Sequence, residues 1–219
     1  MGRSAARQNF DNSWAIVDEL IDLRNSTGVT THDQRSALNR SAMVFVVTAW
    51  EAYIEDLAVE AGNHMADHCP TFAALPRALK NEISQGIMNK PLKWSVPDVV
   101  DDNWRKILKK NTKELVTGSK FNTPKSDQVS ELLKKTVGFD DIASKWSWQR
   151  FSAPGPADRL NETVVIRGEI VHTSRKPKGL NKQWIVTYGG NIQKLVERTD
   201  TVILDHVEKY TGVLFPSRP

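Results

Sequence analysis

Arg167 and His172 lie five residues apart in the stretch "VVIRGEIVHT", residues 164–173. Histidine takes up or releases a proton near neutral pH. Arginine is a permanent cation whose planar fork fits a phosphate. Together they hold the ingredients of a reaction at a phosphate: proton transfer, and a fixed charge where negative charge develops. The spacing alone does not decide the matter. Five residues turn a helix by about 500°, so the two side chains diverge by about 140° around its axis. The two could still flank one groove if His172 lies in the loosened last turn and the long Arg167 side chain reaches round. Two further readings follow. In one, both are surface residues of an ordinary amphipathic helix, with His172 favoured by the dipole near the helix C-terminus. In the other, the pair is completed across a two-fold axis by a second copy of the chain.

Other residues invite the same weighing. Glu169 lies within helical reach of His172, either to orient it or as a solvated helix glutamate. Glu51, in "TAWEAYIED", shares a stripe with Thr48 and Glu55 beside an apolar seam, and is either a solvated flank or a carboxylate facing a pocket. "HMADHC" brings His64, His68 and Cys69 together, but Gly62 and Pro70 bracket it and favour a structural helix end over a metal site. Trp94, Trp104, Trp146 and Trp148 lie among lysines, as either core residues or platforms for stacking bases. The chain has no phosphate-cradling glycine loop and no nucleophile elbow.

The 219 residues suit one domain. With 39% hydrophobic and 26% charged residues, a folded soluble protein is expected. No apolar run approaches the ~20 residues of a membrane span. No signal-type N-terminus is seen, and one cysteine, Cys69, allows no disulfide within the chain, so a cytoplasmic location is expected. The net charge of +4 is uneven: −4 over residues 1–79, +5 over 80–150 and +3 over 151–219. That asymmetry is compatible with a polyanionic partner or with solvated lysine faces.

The elements that must position these residues read as helices nearly throughout. Met43, Val47, Trp50, Ile54, Leu57 and Ala61 recur at spacings of four and three, a bundle seam with a start near Asp33 and a stop at Gly62. A helix over "NSWAIVDELIDLRN" precedes it, stopped at Gly28. Further helices open at Pro76, at Pro97 and at Thr123-Pro124, the last two closing at Gly118 and Gly138. "FDDIASKWSW" reads as a short helix. After a Pro154-Gly155-Pro156 break, the Arg167/His172 helix is capped near Asp158 and ends near Thr173, before a basic loop. A closing helix runs to Gly212, with a kink expected at Gly189-Gly190. The fold class expected is an all-α helical bundle.

Two segments carry a family resemblance. "SAMVFVVTAWEAYIEDLAVEA", with Trp50, Glu51 and Tyr53, and "RLNETVVIRGEIVHTS", with Arg167 and His172 in R-x4-H spacing, resemble the HEPN superfamily, closest to its RiboL-PSP-type branch. "LVERTDTVILDHVEKYTG" is similar to the family's closing helix. The likeness spans residues ~35–62 and ~155–212, and implies a single HEPN-like helical domain over 1–219 with a lysine-rich helical insert at about 76–150. Gly168 and Thr173 stand where a polar residue and a glycine are usual in the family. The resemblance implies a metal-independent endoribonuclease that needs no cofactor and cleaves RNA by attack of the 2′-hydroxyl on the adjacent phosphate. Arg167 and His172 would be the catalytic residues in the cleft of a homodimer, with Glu169 and Glu51 in support. Arg175, Lys176 and Lys178 would hold flanking phosphates. A toxin or defence role, with a cognate antitoxin or inhibitor, would fit. The alternative is a non-catalytic HEPN-like module that binds RNA or nucleotide, or a helical interaction protein.

Overall fold

A computed structural model describes residues 3–88, 102–118, 121, 123–149, 151, 155–173, 177 and 179–215. The described chain is all-α: α1 (Ala5–Asn25), α2 (His32–His68), α3 (Arg77–Met88), α4 (Asn103–Thr117), α5 (Ser126–Val137), α6 (Gly155–Thr173) and α7 (Lys182–Thr211). "FDDIASKWSW" yields only a 3-10 turn, Ala143–Lys145, rather than an α-helix. Pro97 and Trp94 lie outside the described residues. No helix among the described residues is long and apolar enough to cross a membrane.

The predicted seam is the spine of the molecule. Met43, Val47, Trp50, Ile54, Leu57 and Ala61 are all buried, and α2 packs against α1, α4, α5, α6 and α7. It opens on a capping box: Thr31 Oγ1 accepts from Gln34 N, while the Gln34 side chain accepts from Thr31 N. Gly62 does not stop the helix, which runs on to His68. The glycine serves a close approach instead. A Cβ there would stand 2.9 Å from Thr112 Oγ1 of α4, so its absence lets α4 lie against α2. Likewise α7 runs unbroken through Gly189-Gly190. The ring of Trp14 occupies the place a Gly189 side chain would take, 3.1 Å from its Cβ.

Buried aromatics fill the interior and keep their polar atoms paired. Trp50 Nε1–H donates to Pro124 O at 2.9 Å, and Trp146 Nε1–H to Thr199 Oγ1 at 2.9 Å. The two indoles meet edge to face at 6.0 Å. Trp104 and Trp146 are therefore core residues, not stacking platforms. The lysines of α4, Lys106, Lys109, Lys110 and Lys113, do share an exposed face, and Lys109 pairs with Asp67 at 2.6 Å.

A buried clasp ties the first helix to the last. Ser4 caps α1 by accepting from Arg7 N, and its own hydroxyl and N–H both donate to the buried Asp200 carboxylate of α7. Glu60 of α2 accepts from Ala5 N and Ala6 N, each at 3.0 Å. Burial pushes the Asp200 carboxyl above its usual range, against the pull of the Ser4 hydrogen bonds. Replacing Asp200 by alanine strands two buried donors of Ser4. Chemical denaturation should show Asp200→Ala less stable by about 1–3 kcal/mol, and an unchanged midpoint would show that the clasp holds nothing.

His206 gives a second check. Its Nε2–H donates to Val137 O at 2.9 Å, and burial pushes its pKa below the ordinary 6.5 despite that bond. The unfolded chain therefore takes up a proton first as pH falls. The contribution of neutral His206 is intact above pH 6.5 and is lost as pH drops from there through its lowered folded value. The stability difference between wild type and His206→Gln should accordingly shrink between pH 7.5 and 5.5 in urea titrations; a constant difference would contradict the assignment.

Candidate functional site

The R-x4-H helix, α6, packs against α2, α5 and α7. It begins at Gly155-Pro156, three residues ahead of the expected cap at Asp158. Its buried side, Leu160, Thr163, Val164 and Ile166, packs on the core. Asn161 fastens it to α5: its Oδ1 accepts from Ser126 N at 2.9 Å and its Nδ2–H donates to Ser126 Oγ at 3.0 Å. The helix is thus held at a fixed rotation, which decides where each of its polar residues points.

Arg167 is half-buried, facing α2. Its Nε is fully enclosed and has no hydrogen-bond partner among the described residues. Close by is Glu51, also half-buried, whose carboxyl is pushed above the usual range by desolvation and drawn partly back by the Arg167 charge. Glu51 falls between its two sequence readings, half-exposed with the Arg167 charge near it. Its neighbours in the family-like segment do something else: Trp50 and Tyr53 are core residues, and Tyr53 OH donates to Val196 O at 3.2 Å. Glu55, one turn on, also has its carboxyl raised, by burial and then by the Glu51 charge.

His172 is exposed in the last turn of α6, and Glu169 is exposed one turn before it. Among the described residues, no hydrogen bond or ion pair joins His172 to Arg167 or to Glu169. One chain therefore does not assemble the two motif residues on one face, in keeping with the divergence of about 140° that helix geometry dictates. Val171, next to His172, and Val165, two turns before it, are 47% and 46% exposed. Between the two motif residues, Gly168 leaves bare backbone: a Cβ there would meet nothing within 4 Å. Arg175, Lys176 and Lys178 lie outside the described residues.

The histidine-rich end of α2 is structural in its contacts. His64 is buried, its Nε2–H donates to Val213 O at 3.3 Å, and its ring packs between His68 at 4.4 Å and Phe215 at 4.8 Å. The Cys69 thiol is buried and donates to Thr71 O and Tyr210 O. Among the described residues no three His, Cys, Asp or Glu side chains are grouped to hold a metal ion.

A second feature escaped the sequence reading. On α2, Ala37, Arg40, Ser41, Val44 and Phe45 line a groove closed on its far side by Ile170 of α6. The signal was present as spacing: these positions continue, at intervals of three and four, the stripe that carries Thr48, Glu51 and Glu55. Reading that stripe as a flank of the seam hid its first half.

No curated protein and no solved structure shows a significant match to the chain. The family model described as RiboL-PSP-HEPN matches residues 11–205, which take in α2, the Arg167/His172 helix and all but the end of α7. With an all-α fold and a family match over most of its length, the chain belongs to the RiboL-PSP-HEPN family.

Proposed function

We propose that this protein is a metal-independent endoribonuclease working as a homodimer. The observation that carries the reading is Arg167: a half-buried guanidinium at the motif position, with an enclosed and unpaired Nε beside Glu51. A half-buried guanidinium with only one carboxylate near it keeps its charge at the edge of the packed core, where it can meet an anion. A phosphate is the acceptor that an arginine fork matches best.

In the proposed reaction the 2′-oxygen forms a bond to the adjacent phosphorus as the bond from phosphorus to the 5′-oxygen breaks. His172 serves the proton transfers, taking the 2′-hydroxyl proton or protonating the leaving 5′-oxygen. Arg167 holds the extra negative charge of the phosphorane. The products are a 2′,3′-cyclic phosphate and a 5′-hydroxyl. Glu51 supports the site by opposing the Arg167 charge, which steadies the guanidinium while the substrate is away. The dimer is supported by the divergence of Arg167 from His172 and by the exposed Val165 and Val171, which a second α6 would cover. The proposal extends to a toxin or defence effector, held in check by a cognate antitoxin or inhibitor.

The exposure of His172 also favours one other reading, a binding module that holds RNA without cutting it. Cleavage separates the two. With EDTA present, the purified protein should cut single-stranded RNA and leave cyclic phosphate ends. His172→Ala should lower the rate by about 10²–10⁴ and Arg167→Ala by about 10²–10³. A need for magnesium, or full activity in His172→Ala, would sink the mechanism. The dimer is tested separately. Val165→Asp with Val171→Asp should convert a two-chain species to a one-chain species in light scattering, with cleavage falling in step; a wild type that cuts while monomeric would overturn the shared cleft.

A further inference from the structure

The groove on α2 has a composition of its own. It is a shallow, open groove of about 320 Å³, lined by Ala37, Arg40, Ser41, Val44, Phe45 and Ile170. That volume sits at the small end of ligand sites, which span about 300–1,000 Å³. No carboxylate is among the lining residues, while a guanidinium and a hydroxyl are. The Phe45 ring is 39% exposed, although every large apolar residue of the seam behind it is buried. An open ring beside a cation and a hydroxyl is poorly explained by packing. It suits a ligand with a flat face, an anion and hydrogen-bonding edges.

Position adds the rest. Ile170 is one helical turn from Arg167, on the same side of α6. Arg40 and Glu51, the residue beside Arg167, are eleven positions apart on one stripe, about 16 Å along the helix. The groove and the Arg167 site therefore lie along one stripe of α2 and share α6 as their other side, with Arg40 at one end and Arg167, beside Glu51, at the other. Aromatic rings along a cationic track are how proteins hold single strands without reading their sequence.

We infer that the α2–α6 groove is a nucleotide subsite for the single-stranded RNA that reaches Arg167: Phe45 stacks on one base and Arg40 binds the neighbouring phosphate. The inference rests on the ribonuclease reading only in taking RNA as the occupant. Neither residue touches the scissile phosphate, so both act on affinity rather than on chemistry.

The test uses a short single-stranded 2′-O-methyl RNA, which lacks the hydroxyl that cleavage needs, and follows its binding to the full chain by fluorescence anisotropy. Phe45→Ala should weaken binding about tenfold, and Phe45→Tyr should restore it. Arg40→Gln should weaken binding and flatten the slope of log affinity against log salt by about 0.7, the mark of one lost phosphate contact on a single strand. A 5-bromouridine-substituted strand should crosslink to the tryptic peptide 41–77. Wild-type affinity in both Phe45→Ala and Arg40→Gln would overturn the subsite, as would failure of the wild type to bind the strand. So would a change in the number of associated chains in Phe45→Ala, which would make the groove a contact between copies. The two proposals can fail apart. Binding with these losses but no cleavage of natural RNA leaves the subsite and removes the ribonuclease. Cleavage by wild type with an unchanged KM in Phe45→Ala leaves the ribonuclease and removes the subsite.

Discussion

The burial of one face of α2 is the constraint on which the structure depends. A helix of 37 residues, about 55 Å long, presents an apolar seam that no single neighbour can cover. Five helices share the task, and each takes its orientation from the part of the seam it covers. The opposite face of α2 stays free to line grooves. Because α6 must lay its own apolar side on the seam, its rotation is fixed, and with it the directions of Arg167 and His172. The geometry of the candidate site thus follows from packing that has no chemical purpose of its own.

Much of this was legible in the sequence. The seam at spacings of three and four was read residue by residue, because burial imposes a period that survives any detail of tertiary packing. The end of α5 at Gly138 was equally plain, since the glycine there adopts φ +73°, a conformation other residues resist. Glycine misled where it served proximity rather than termination. Gly62 and Gly189 sit inside helices because Thr112 and Trp14 come close, and a partner 50 or 175 residues away in sequence leaves no local trace. The Ser4–Asp200 clasp was invisible for the same reason, its members being separated by 196 positions.

The candidate site divides along similar lines. Residue types and spacing picked out Arg167, His172 and Glu51, and simple helix geometry already separated the first two. Spacing could not tell whether Glu51 faced water or α6, because a stripe at the edge of a seam is buried or exposed according to which helix crosses it. The groove around Arg40 and Phe45 needed the same knowledge. Only the position of Ile170, brought across by α6, turns those two side chains from a helix surface into one side of a shallow groove.

Gly168 has the opposite character. Glycine inside a helix lowers its stability by roughly 0.5–1 kcal/mol relative to alanine, and at Gly62 and Gly189 that loss accompanies a close neighbour. At 168 the described residues supply no neighbour within 4 Å. Just past the arginine and one turn before the histidine, the helix carries no side chain, and its backbone there can be approached by anything narrow enough to lie against it. A side chain at that point would stand as a barrier between the two motif residues. Its absence keeps open a shallow passage from one flank of the helix to the other.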